Sequence, residues 1–99
     1  MTVRFVAEAK GELREAMDYY NGERPGLGYE FLAEVKAAVQ RIQKYPEAWP
    51  IVEEDLRKCL LNKFPFSLVY HLGNDGVIVI ALMHARRKPG YWKNRPAQS

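Results

Sequence analysis

Cysteine occurs once in the 99 residues, at position 59. A single thiol closes no internal disulfide and furnishes no Cys-rich zinc site. No apolar run reaches the roughly 18 residues of a membrane-spanning helix. The opening stretch, MTVRFVAEAKGELRE, lacks the apolar core of a signal peptide. The expectation is a cytoplasmic protein with no membrane partner. The seven glycines match neither G-x-G-x-x-G nor a P-loop, so no dinucleotide or nucleotide cradle is written into the chain. No His/Cys/Asp spacing suits a metal, and the expectation is that neither metal nor other cofactor takes part. Acids nearly vanish after Asp55, where only Asp75 follows, which argues against a paired-carboxylate mechanism.

What is present is charge of two signs, kept apart. Residues 1–56 hold seven Lys/Arg against eleven Asp/Glu, a balance of −4. Residues 57–99 hold eight against one, a balance of +7. Such asymmetry points either to an anionic partner or to an acidic helical half folding back on a basic sheet half. The length suits one domain, residues 1–99. Only Arg95 to Ser99 has the composition of a loose tail.

The pattern predicts an α+β fold of order β-α-α-β-β-β. TVRFV (2–6) is short, β-branched and alternating, which is strand-like. Ala9, Leu13, Ala16, Met17 and Tyr20 recur at helical spacing, predicting a helix from Ala7 to about Glu23. NGERPG (21–26) punctuates. A second helix then carries a stripe of Leu27, Phe31, Val35, Ala38, Val39 and Ile42, and Pro46 stops it. Residues 45–55 read as a linker anchored by Trp49. LRKCLLN (56–62), PFSLVYHL (65–72) and VIVIALMH (77–84) read as an antiparallel meander, with Asn-Asp-Gly as the last turn. The two helices form a hairpin packed on one face of that sheet. Phe31, Val35, Val39, Leu68, Tyr70, Val79 and Ala81 are the expected core.

If Leu72 pairs with Val77, alternation places Phe66, Leu68, Tyr70, Leu72, Val77, Val79, Ala81 and Met83 on the helix-covered face. Ser67, Val69, His71, Ile78, Ile80, Leu82 and His84 take the other face. That second face is apolar but lacks a helix of its own. An uncovered face of this kind is a surface for a protein partner or for a second copy of the chain, a homodimer. Helices straddling the sheet, or the tail folding back, would cover it instead.

The two histidines, His71 and His84, sit near opposite ends of the meander, roughly 20 Å apart at about 3.3 Å per residue, too far to share a proton. The other concentrated chemistry is HARRKPGYWKNR (84–95), where an apolar strand runs into cations beside aromatics. Arginine grips phosphate in a fork, and Tyr and Trp stack on bases, but the same residue types also anchor protein interfaces. Arg57, Lys58 and Lys63 add to the cations. The facing of Arg57 stays open, because a one-residue slip in the 62–65 turn would flip it.

The segment LNKFPFSLVYHLGNDGVIVIALMHARRKPGYW (61–92) resembles the RelE/ParE superfamily of bacterial type II toxin–antitoxin toxins, also known as plasmid stabilisation proteins. A basic-Phe-Pro-aromatic entry leads to a strand ending in Val-Tyr. The exit has the form H-x-R-R-x-P-x-x-W, matched by His84, Arg86, Arg87, Pro89 and Trp92. The resemblance implies a small cytoplasmic toxin neutralised by a cognate antitoxin that lies over it, with Val69, Ile78, Ile80 and Leu82 as antitoxin contacts. One branch cleaves messenger RNA on the ribosome without metal, and for it the matching residues would be Arg57, His84, Arg86 and Tyr91. The ParE branch poisons DNA gyrase, which makes His84, Arg86, Arg87, Lys88, Tyr91 and Trp92 target contacts. The chain sits nearer the ParE branch, since the ribonuclease branch places an arginine where Ser67 stands. A member that binds its antitoxin without being toxic is the third reading.

Overall fold

A computed structural model describes residues 1–95. The elements are β1 (Thr2–Phe5), α1 (Ala7–Glu23), α2 (Leu27–Lys44), β2 (Ile51–Glu53), β3 (Leu56–Leu60), β4 (Phe66–Gly73) and β5 (Gly76–His84). They build an α+β fold, two helices on a five-stranded sheet of order β1-β5-β4-β3-β2. Among the described residues, no helix is long and apolar enough to cross a membrane.

The helical hairpin follows from its punctuation. Gly26 takes φ +93°, a left-handed turn that other residues adopt only at a cost. The Asn21 side-chain oxygen accepts from the N–H groups of Gly26 and Gly28, at 3.1 and 2.8 Å, supplying partners for backbone donors at the start of α2. Gly28 also lets the helices close up, because a Cβ there would collide with the Met17 carbonyl. The inner stripes then meet the sheet. Ala9 and Ala16 of α1, and Phe31, Val35, Ala38 and Ile42 of α2, are buried. Phe31 lies within 5.3 Å of the rings of Tyr20, Phe64 and Phe66, centroid to centroid, which fixes the hairpin over the β3–β4 end of the sheet. Of the expected core, Val39 is only half-buried, and the other six are interior.

Two expectations for the sheet need correction. β1 pairs with β5 in parallel, Thr2 opposite Gly76 through Phe5 opposite Val79, so the sheet is mixed. Gly76, at φ +147°, permits this, since Thr2 occupies the space its Cβ would need. Residues 51–53, read as linker, form the edge strand β2 against β3. The rest of that linker is held from beneath. The Tyr70 hydroxyl donates to the Pro46 carbonyl at 2.6 Å, and the Arg57 guanidinium donates to the carbonyls of Glu47 and Trp49 at 2.9 and 2.7 Å.

The hairpin register is as expected near its turn, Leu72 opposite Val77 and Tyr70 opposite Val79. It then slips, with Val69 opposite Ala81 and Phe66 opposite His84. Ile80 is the extra residue of a β-bulge, and beyond it the alternation of β5 inverts. Leu82 and His84 therefore share the helix-covered face with Leu68 and Phe66, whereas Ala81 and Met83 face away with Val69 and Ser67. This reverses the faces expected for residues 81–84.

The second face is covered as well. After β5 the chain turns back, and Trp92 is buried at 3% exposure in a cleft it shares with Met83. Lys93 reaches Glu53 of β2 at 3.1 Å. Val69, Ile80 and Leu82 are consequently buried and Ile78 is half-buried. The expected open flank is roofed by the helices and by the returning tail. Arg95, expected to begin a loose end, is instead held in place; the remainder of that stretch, 96–99, lies outside the described residues.

Candidate functional site

β5 outruns β1. Pairing with β1 ends at Val79, and beyond it the Ile80 carbonyl and the Leu82 N–H face an edge with no strand beside it. Unpaired backbone groups in a buried setting are costly. Here a salt bridge takes the place of a strand. Glu12 of α1 accepts from the Leu82 N–H at 3.0 Å, and Arg95 donates to the Ile80 carbonyl at 3.0 Å. The two side chains grip each other in a fork, Nη1 to Oε1 at 2.8 Å and Nη2 to Oε2 at 3.0 Å. Both are about 15% exposed, so solvent screens the pair little. The bonded carboxylate stabilises the charged Arg95 guanidinium, raising its pKa further.

Tyr91 completes the cluster. Its hydroxyl donates to Glu12 Oε2 at 2.8 Å. Burial, reinforced by this bond to a carboxylate, pushes the phenol well above its ordinary pKa. The guanidinium of Arg87 stacks 3.9 Å from the Tyr91 ring centroid. From there the cationic turn runs outward, with Arg86, Arg87 and Lys88 exposed. None of the three forms an ion pair among the described residues. His84 is half-buried, edge-on to Phe66 at 5.0 Å, and its Nδ1 accepts from the Arg86 backbone N–H at 2.9 Å. A groove of about 490 Å³ adjoins this turn, with Tyr19, Tyr20, Leu27 and the acids Glu12, Glu15 and Glu23 on the helical side and Phe66, His84 and Arg87 on the sheet side.

The expected target contacts thus divide. His84, Arg86, Arg87, Lys88 and Tyr91 gather at the end of β5, whereas Trp92 is a core residue with no face to offer. Of the residues suited to ribonuclease chemistry, His84, Arg86 and Tyr91 lie in this group and Arg57 does not. Arg57 lies opposite Tyr70, four residues along β4 from Phe66 and so about 13 Å away, and is spent on the linker carbonyls. Ser67, where an arginine would stand, is 2% exposed beneath the tail. His71 is remote, paired with Asp55 at 2.9 Å. The sequence reading did not single out Glu12. The signal was there: positions 9, 12 and 16 share one helical face, and an acid between two buried alanines asks for a buried cation.

A family model described as ParE toxin of type II toxin-antitoxin system, parDE, matches residues 3–89. No curated protein matches the chain. Among solved structures, one from the chromosomal ParDE toxin–antitoxin system of P. aeruginosa superposes with a TM-score of 0.75 at 16% identity, over 85% of this chain and 95% of that one. Identity so low speaks to the fold alone, and there the likeness extends across helices and sheet. With the family match spanning most of its length, this chain belongs to the ParE toxins of type II toxin–antitoxin systems.

Proposed function

We propose that this toxin arrests growth by binding DNA gyrase, and that a cognate antitoxin neutralises it. The observation that carries this reading is the exposed turn of Arg86, Arg87 and Lys88, three cations without acidic partners among the described residues, set beside an aromatic-lined groove. Cations beside aromatics make a binding surface. RNA cleavage through the ribose 2′-hydroxyl needs a base within hydrogen-bond reach of that hydroxyl and a second group for the leaving oxygen. Of the candidates for such roles, Tyr91 is a committed donor to Glu12 and Arg57 is tied to the linker, which leaves His84 and Arg86. Neutralisation requires only that the turn be masked, and the groove of Tyr19, Tyr20 and Leu27 adjoins it.

Inducible expression in bacteria tests the reading. Gyrase poisoning yields trapped cleavage complexes, altered plasmid supercoiling and an SOS response. Codon-phased messenger RNA ends with translation arrest would replace it by ribonuclease action, and normal growth would leave an antitoxin-binding protein without toxicity. The double substitution Arg86→Ala, Arg87→Ala is expected to abolish growth arrest while shifting stability by no more than about 1 kcal/mol, the worth of the exposed cation–π contact that Arg87 makes. Growth arrest by the folded double variant would rule this turn out as the target surface. Co-expression with the neighbouring antitoxin gene is expected to restore growth and to give a co-purifying complex.

A further inference from the structure

Arg87 is exposed, yet it has a fixed seat. Among the described residues its guanidinium has no carboxylate partner, and its close side-chain neighbour is the Tyr91 ring, 3.9 Å from centroid to guanidinium carbon. That ring is itself pinned, because the phenol donates to Glu12 at 2.8 Å. Glu12 in turn cannot swing, since Arg95 and the Leu82 N–H hold its two oxygens. Arg95 also lies 5.0 Å from the Tyr91 ring centroid, so both ends of the tyrosine are constrained. A long surface side chain ordinarily samples many rotamers and gives up that freedom on binding. A guanidinium already seated on an immobile ring has less to give up.

We propose that Glu12, on the first helix, is a positioning residue that presents Arg87 to its target through the Tyr91 ring. This rests on the reading of Arg87 as a target contact, and it assigns to α1 a part in the surface formed at the far end of the chain. Glu12 touches no target. Its carboxylate sets where the tyrosine lies, and the tyrosine sets where the cation lies. An exposed cation–π contact is worth about 0.5–1 kcal/mol, which corresponds to about a 2- to 5-fold change in the affinity of an Arg87-dependent partner.

The test separates the tether from mere stability. In the full-length protein, the Arg87 side-chain NMR signals are expected to carry the upfield shift of protons over an aromatic face. Tyr91→Leu abolishes the shift. Tyr91→Phe keeps the ring but cuts the tether, and diminishes the shift, as does Glu12→Gln. In the doubly substituted protein Glu12→Gln adds nothing further to the change made by Tyr91→Phe, which a general loss of stability would not produce. Purified gyrase is bound 2- to 5-fold more weakly by Tyr91→Leu, about the size of the lost stack, and by Tyr91→Phe with a smaller loss in the same direction. The Trp92 indole signal reports folding, and Tyr91→Phe serves if Glu12→Gln does not fold. Unchanged Arg87 signals in folded Tyr91→Phe and Glu12→Gln proteins would overturn the inference. Failure of the gyrase reading looks different: trapped cleavage complexes are missing while the Arg87 signals still respond to Tyr91.

Discussion

Tyr70 is fully buried, and its hydroxyl donates to the Pro46 carbonyl. Burial in this setting pushes the phenol up to about 12, against a lowering pull from Arg57. The unfolded chain, with phenols near the ordinary value of about 10, releases these protons first as pH rises. Stability contributed by Tyr70 is therefore complete below about pH 10 and drains away as pH climbs toward 12. Urea midpoints across pH 8 to 12 are expected to fall over that window. Tyr70→Phe should cost about 1 kcal/mol at neutral pH, the net worth of one hydrogen bond. It should also make the alkaline decline shallower without removing it, since the Tyr91 phenol is raised as well.

At the scale of elements, glycine separates close approach from open space. Gly28→Ala drives a methyl group into the Met17 carbonyl and the Asn21 side chain, so the helices must part. A cost of about 1–3 kcal/mol in thermal or denaturant melts is expected, as for other overpacked contacts. Gly11, inside α1, has nothing within 4 Å of its would-be Cβ. Gly11→Ala should therefore stabilise the protein, by about 0.5–1 kcal/mol, through the better helix propensity of alanine. The bulge at Ile80 belongs to this scale too. It places Leu82 and His84 on the helix side, so His84 stands at the groove, and it aims the Ile80 carbonyl and Leu82 N–H at Arg95 and Glu12.

Across the whole molecule, the acidic half and the basic half are stitched together. Glu12 with Arg95 and Glu53 with Lys93 join the acidic half to the basic half, so part of the charge asymmetry is used internally. The returning tail then closes the second sheet face over Val69 and Met83. Trp92→Ala should cost about 3–5 kcal/mol, the range for deleting a large buried aromatic side chain, and should increase binding of hydrophobic dyes. The paired substitution of Arg86 and Arg87 should do neither, because those side chains stand outside the core. Denaturant melts of the two variants side by side distinguish the tail's structural part from its surface part.

Helix and strand identities were legible because hydrophobic period reports local geometry directly. The stripe from Phe31 to Ile42 and the alternation from Phe66 to Leu72 needed no knowledge of what they would face. The punctuation at Asn21–Gly26 and at Asn74–Gly76 was legible for the same reason. The entry and exit motifs of residues 61–92 carried the family resemblance. Whether the apolar second face stayed open was decided by the tail, through Trp92, and which side Leu82 and His84 took was decided by one extra residue in β5. Both depend on contacts between segments far apart in the chain. Glu12 and Arg95 stand 83 positions apart, and only the folded sheet, ending β1 early and leaving two backbone groups of β5 bare, gives them a reason to meet.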